Sequence, residues 1–264
     1  MNQSAWFWVL AAVALASYAM PALFKTARPQ AVTSSLALAW VAHGLVLAIS
    51  LFSGRFGFGP ALSVMAWLVL TVYAVESRLY PQMQSRRALA ALGGVALLIG
   101  LLFPGAALGA KASIWLPLHG ALGLAAYGML AVATVHAWLM RRAEIHMRAA
   151  HGGDAAGVGL PLMTLERLMF GFALASFVLL TGTLLAGWLF GDDLYGAGKA
   201  WKWNHKTIFS VLALGSMGLL LIGRWQWGWR GRIAARFVYS SAAFLLFAYI
   251  GSRFVVEVLL QRTL

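Results

Sequence analysis

Apolar residues in this chain neither alternate with polar ones nor keep to a narrow stripe. They form long runs separated by short polar loops. The runs fall near residues 5–23, 32–52, 60–77, 89–104, 117–140, 168–190, 205–223 and 233–261, with 89–104 the shortest. A bilayer core takes about 20 consecutive apolar residues per helix. Backbone in hydrocarbon must satisfy its own hydrogen bonds, which leaves only helices or closed barrels. No run shows the two-residue alternation of a barrel strand, so strands are not expected. The pattern predicts an all-α, polytopic transmembrane bundle of about eight spans. It is read as a single integral membrane domain over residues 1–264.

Composition agrees. The chain is 62% hydrophobic and only 10% charged, with a mean hydropathy of +0.81, outside the range of soluble domains. The segment Met1-Asn2-Gln3-Ser4 lacks the basic residue of a secretory leader, so the first run reads as a retained span. The absence of cysteine excludes disulfides, thiol redox chemistry, thiolate-held iron–sulfur clusters and covalent haem attachment through CxxCH.

The net charge of +13 adds an orientation. Basic residues crowd alternate loops: Lys25 and Arg28; Arg78, Arg86 and Arg87; Arg141, Arg142, Arg148 and Arg167; Arg224, Arg230, Arg232 and Arg236. The intervening loops hold only Arg55, Lys111, Lys199 and Lys202, partly offset by Asp192 and Asp193. The positive-inside rule then places both termini on the non-cytoplasmic side. The charge reads as topology and contact with anionic membrane lipid, not as a nucleic-acid face.

Chemistry is concentrated in a few places. Trp201-Lys202-Trp203-Asn204-His205-Lys206 sets two indoles, an imidazole and two ammonium groups where an outward loop enters the membrane. His119 follows Trp115-Leu116-Pro117-Leu118 and is expected near the same outer surface, with Gly120, Gly123 and Gly128 allowing close approach by a helix or a flat ligand. His43 lies at mid-depth in the second run, where an ionisable residue is by default a functional candidate. It reads either as a ligand or as a neutral inter-helix hydrogen bond. His136, His146 and His151 read as interfacial or loop histidines, and Glu76 beside Arg78 as an interfacial ion-pair member. Trp225, Trp227 and Trp229 read as an aromatic belt. Arg253 and Glu257 are spaced to pair on one helix face, and Arg253 is also a candidate partner for a ligand carboxylate. Imidazole is a standard axial ligand of haem iron, indole faces suit a flat porphyrin, and lysines near the interface would neutralise its propionates. An aromatic belt accounts for the tryptophans equally well.

From Trp115 onward the chain resembles the CcsA-type cytochrome c assembly family, haem-handling proteins of the membrane. Trp115-Leu116-Pro117-Leu118-His119 with Gly123 and Tyr127 is similar to the helix bearing that family's first external histidine. Leu165-Glu166-Arg167-Leu168 resembles the approach to its tryptophan-rich signature, a pattern like W-G-x-x-W-x-W-D-P-K-E. Gly198, Trp201, Trp203 and Lys206 match the signature, and Ala197, Asn204, His205 and Thr207 depart from it. Gly228-Trp229-Arg230-Gly231-Arg232 and Tyr249-Ile250-Gly251 match the closing pattern. The similarity covers roughly residues 30–260, with its specific part in 115–252. Histidines that the family carries near Ile222–Arg224 and near Leu260 are absent, which points to the shorter YpjD/HemX-like branch rather than to a full haem-to-apocytochrome ligase.

The resemblance implies a protein of the bacterial inner membrane that binds haem b near the outer face. His119 and His205 are the implied external axial ligands and His43 a membrane-embedded one. Trp201 and Trp203 would pack on the porphyrin, and Lys202 or Lys206 would pair with propionates. Other cytochrome c assembly proteins or an apocytochrome would be its partners. Two other classes remain open: a non-haem regulatory or structural membrane subunit, and a small-solute transporter using His43, Arg253 and Glu257.

Overall fold

A computed structural model describes residues 5–24, 28–79, 86–107, 115–149, 161–191, 203–251 and Phe254. Eight helices lie within them: α1 (Ala5–Leu23), α2 (Pro29–Phe52), α3 (Phe58–Leu79), α4 (Arg86–Leu102), α5 (Trp115–Ala149), α6 (Leu162–Leu189), α7 (His205–Trp227) and α8 (Gly231–Leu245). Helix α8 runs directly into a π-helical segment, Leu246–Gly251. Six of the helices are long and apolar enough to cross a membrane, so this is an all-α, multi-pass membrane protein. Helix α4, at 17 residues, falls short of the roughly 20 that a full crossing takes.

The ends of these helices follow from local chemistry. Pro29 opens α2 at a position where its missing N–H costs nothing. Helix α7 begins at Asn204, whose Oδ1 accepts from the Thr207 N–H at 3.0 Å and from the Thr207 hydroxyl at 3.2 Å. Asn204, His205 and Thr207 occupy the N-cap, first and third helical positions, so three of the signature's departures form a helix start of their own. Asn replaces Asp at no loss, since both cap well. At the other end Gly228 adopts φ 65°, the left-handed conformation that glycine tolerates, while the Trp229 N–H returns to the Gly223 carbonyl at 3.1 Å.

One feature departs from an all-helical reading. Arg55–Phe56 (β1) and Ala106–Ala107 (β2) form a two-stranded antiparallel ladder. It lies in the loops, where Gly54 (φ 69°) and Gly105 (φ 75°) turn the chain and the Arg55 guanidinium donates to the Gly105 carbonyl at 2.9 Å. Loop backbone without helical partners pairs with itself.

The described residues fall into two compact units, one drawn from 1–110 and 253–264 and the other from 111–252. In the first, α1 packs on α2 and α4, and α3 on α2 and α4. At its centre the His43 ring is fully buried between two hydroxyls: Tyr18 Oη is 3.1 Å from Nδ1 and Ser63 Oγ is 2.7 Å from Nε2. Helix α4 closes over this chain because it presents glycine. A Cβ on Gly93 would meet the Tyr18 ring at 2.8 Å, and one on Gly100 would meet Ser63 Cβ at 3.1 Å. Nearby, the indoles of Trp40 and Trp67 stack at 5.1 Å, and Trp67 Nε1 donates to the Trp40 carbonyl at 2.9 Å. Glu76, near the end of α3, is buried within the protein (5% exposed), where α3 packs along α4.

In the second unit α5 packs on α6 and α8, and α7 on α6 and α8. Alanines with no exposed surface, among them Ala126, Ala133, Ala173, Ala213 and Ala234, let the helices approach closely. The Ser176 hydroxyl donates to the Ala126 carbonyl across α6 and α5 at 2.8 Å. At the end formed by the C-terminus of α5 and the N-terminus of α6, Glu166 accepts from Arg224 at 2.7 Å and lies 3.7 Å from Arg230. The Arg224 guanidinium also rests over the Phe170 ring, 4.7 Å from its centroid. Trp229 turns inward here, stacking on Phe237 at 5.0 Å and covering Gly223, where any Cβ would collide with its indole. Trp229 is therefore half-buried, while Trp225 and Trp227 are 83% and 63% exposed.

Candidate functional site

The opposite end of the second unit gathers the start of α5, the end of α6, the start of α7 and the π segment. His119 sits one turn into α5, half-buried. Its ring lies against α6 at Gly187, where a Cβ would come within 3.3 Å of Cε1 and 3.9 Å of Nδ1. Any larger residue at 187 would push the ring away, so the missing side chain is what lets the imidazole rest on α6. The ring is partly buried, with the Lys206 ammonium near it and a hydrogen bond to the Thr183 backbone.

Lys206, on the first turn of α7, places its ammonium 5.3 Å from the centroid of the Tyr249 ring. A cation over an aromatic face is held there electrostatically. Next to this, Trp115 stacks on Phe190 at 4.3 Å and 12°, tying the first residue of α5 to the end of α6. Trp203 (68% exposed) and His205, also exposed, precede Lys206 in the chain. The structure thus brings His119, Lys206 and the previously unassigned Thr183, Gly187 and Tyr249 to one end of one unit. Trp201, Lys202, Arg253 and Glu257 lie outside the described residues, as does His151.

His43 belongs to the other unit. Both of its ring nitrogens are engaged by side-chain hydroxyls, so ligating iron would mean giving up one of those bonds. The alternative of an inter-helix hydrogen bond describes this geometry directly. His136 is buried within the protein: it is 1% exposed, its Nδ1 donates to the Val132 carbonyl at 2.9 Å, and its ring lies 5.4 Å from that of Phe172. Helix α5 runs 35 residues, to Ala149, which carries position 136 inside the bundle. The apolar run alone ends near residue 140, nine positions short of the helix end at Ala149. Among the described residues no three histidines or carboxylates cluster to hold a metal ion by themselves.

Residues 6–260 match the model of the family described as "Cytochrome C assembly protein". This chain belongs to that cytochrome c assembly family. Within it, the chain is similar to an "Uncharacterized 28.8 kDa protein in nifR3-like 5'region" of Azospirillum brasilense, at 32% identity over 155 residues, covering 58% of this chain and 55% of that protein. It is also similar to the "Inner membrane protein YpjD" of Escherichia coli strain K12, at 32% identity over 142 residues, covering 53% of this chain and 52% of that protein. The matched stretch thus spans about half the length of these relatives. Family membership sets a cytochrome c assembly context, and His119 and Lys206 are groups at this end that could meet a metal ion and carboxylates. A single imidazole backed by a helix serves an ion whose equatorial positions are filled by a macrocycle, and an ammonium serves its carboxylates.

Proposed function

We propose that this protein binds haem b at the His119 end of its second unit. There it would hold or pass haem near the outer face of the bacterial inner membrane during cytochrome c assembly, with both termini on that outer side. The observation that carries this reading is the convergence of His119, Gly187 and Lys206 from three helices. His119 and His205 are the candidate axial ligands. Trp203, and Trp201 before it, offer apolar faces to the porphyrin, and Lys206, with Lys202, pairs with propionates. Arg253 is a further candidate for a carboxylate. Bound haem supplies iron and its redox chemistry, and the protein supplies binding and orientation. The departures near Ile222–Arg224 and Leu260 favour a carrier over a ligase. An apocytochrome or other assembly proteins are the proposed recipients, and anionic lipid the medium.

Haemin titration of the purified chain tests this. The wild-type protein is expected to bind in a saturable fashion with a red-shifted Soret band. Gly187→Leu, which displaces His119 without touching a ligand, is expected to weaken binding by about tenfold, or about 1.4 kcal/mol. Non-saturable uptake equal in both proteins would reject the site.

A second reading applies to the first unit. The Tyr18–His43–Ser63 chain joins three helices, which favours a structural role for His43 even where the other unit handles haem.

A further inference from the structure

Tyr127 and Tyr249 both belong to the sequence patterns shared with the family, yet neither is a candidate ligand. Tyr127 lies mid-way along α5 and reaches across to the end of α8, where its hydroxyl donates to the Leu245 carbonyl at 2.7 Å. The same hydroxyl is bonded by the backbone of Tyr249. In an uninterrupted α-helix those two backbone groups would bond each other, because the N–H of residue 249 donates to the carbonyl of residue 245. The phenol of another helix stands between them instead. From the next residue the backbone is π-helical, Leu246–Gly251. Insertion of a side chain into the ladder is a recognised cause of such local widening, and single π turns recur at functional sites. Gly251 completes the turn, since a Cβ there would press to 3.3 Å from the Leu246 carbonyl.

The widened turn determines where Tyr249 points. An added residue per turn rotates everything beyond it about the helix axis, and here Tyr249 faces α7 with its ring beneath the Lys206 ammonium. A path of direct contacts therefore runs from the Tyr127 hydroxyl through the π turn and Tyr249 to Lys206.

We propose that Tyr127 is a positioning residue: spliced into the α8 ladder, it sets the π turn that holds Tyr249 under Lys206, and so gives the His119 site its preference for porphyrins with free carboxylates. The carboxylate preference rests on the haem-binding reading above. The positioning of Lys206 does not, and the two are tested separately.

The first measurement needs no porphyrin. The acetylation rate of Lys206 by an N-hydroxysuccinimide ester is followed by mass spectrometry on the full chain in detergent. Tyr249→Leu, which removes the ring, is expected to raise the rate about threefold, in line with loss of a partly exposed cation–π contact. Tyr127→Phe, which removes only the inserted hydroxyl, is expected to raise it equally. Tyr249→Phe, which keeps the ring, is expected to stay at the wild-type rate. A wild-type rate in Tyr127→Phe overturns the positioning.

The second measurement compares affinity for haemin and for its dimethyl ester. Tyr127→Phe and Lys206→Met are each expected to weaken haemin binding several-fold and to leave ester binding unchanged, with no further loss in the double variant. Equal loss for both porphyrins, or additive losses, overturns the carboxylate preference. If the wild-type chain binds neither porphyrin, the haem-binding reading falls and the carboxylate preference with it, while the acetylation rates still decide the role of Tyr127.

Discussion

Replacing His43 with alanine is expected to destabilise the folded protein by about 3–5 kcal/mol. The ring links the hydroxyls of Tyr18 and Ser63, both residues 1% exposed, and it bonds both. Inter-helix side-chain bonds in membranes contribute on average about 0.6 and at most about 1.7 kcal/mol each. Emptying a fully packed site adds about 2 kcal/mol or more for the cavity. Helix α4 cannot collapse into the space freely, because its glycines already sit in contact with Tyr18 and Ser63. His43→Leu fills the volume while leaving both hydroxyls without the ring, and should recover roughly the cavity share of the loss. Denaturant-induced unfolding of the two variants in micelles measures both values. A loss below about 1 kcal/mol for alanine would show that the buried chain is not what joins α1, α2 and α3.

The second large effect is expected at Glu166. Its carboxylate holds Arg224 at 2.7 Å with Arg230 close by, and its side chain is only 11% exposed. Glu166→Leu leaves the Arg224 guanidinium over Phe170 with its anionic partner gone. Breaking a fully buried pair costs about 3–5 kcal/mol. Arg224 is about a third exposed (32%), so water offsets part of this and about 2–3 kcal/mol is expected. Adding Arg224→Met to Glu166→Leu removes the stranded charge and should restore most of the stability, because an apolar pair of similar volume often replaces an ion pair without loss. Unfolding midpoints of the single and double variants provide the comparison, and a double variant no more stable than Glu166→Leu would contradict the account.

How far the sequence carries the reader depends on the distance between the partners. The long apolar runs give the helices because the hydrocarbon core leaves backbone little choice. The His119 helix and the Lys206 turn are legible because their residues are neighbours in the chain. The cap at Asn204 is also local, and a polar residue three positions before Thr207 is a recognisable helix start. Tyr18, His43 and Ser63, by contrast, come from three helices with no periodic mark to announce the contact. Glu166 and Arg224 are 58 positions apart. Helix α5 extends past the apolar run because Arg141, Arg142, Glu144 and Arg148 continue a helix readily, and the partners that bury His136 are not marked in the sequence. The π turn is the least legible feature. Leu246–Gly251 has no helix-breaking residue before Gly251, and the group that widens the turn comes from a tyrosine 118 positions away.

The ordering of the His119 end follows from this. Sequence places the imidazole and the ammonium near one another, but the side chains that fix them, Gly187 on α6 and Tyr249 on the π turn, are supplied by the fold. A glycine that admits a ring and a tyrosine that supports an ammonium are positioning groups, recognisable only once the helices are assembled.

The most direct test is the optical spectrum of the gently purified protein, oxidised and reduced, beside that of a variant in which His119 and His205 are both replaced by alanine. Binding through these imidazoles predicts a Soret band and a sharp reduced α-band in the wild-type protein that collapse or shift to a high-spin form in the variant. Identical spectra from the two proteins, or a wild-type protein that takes up no haem, would contradict it.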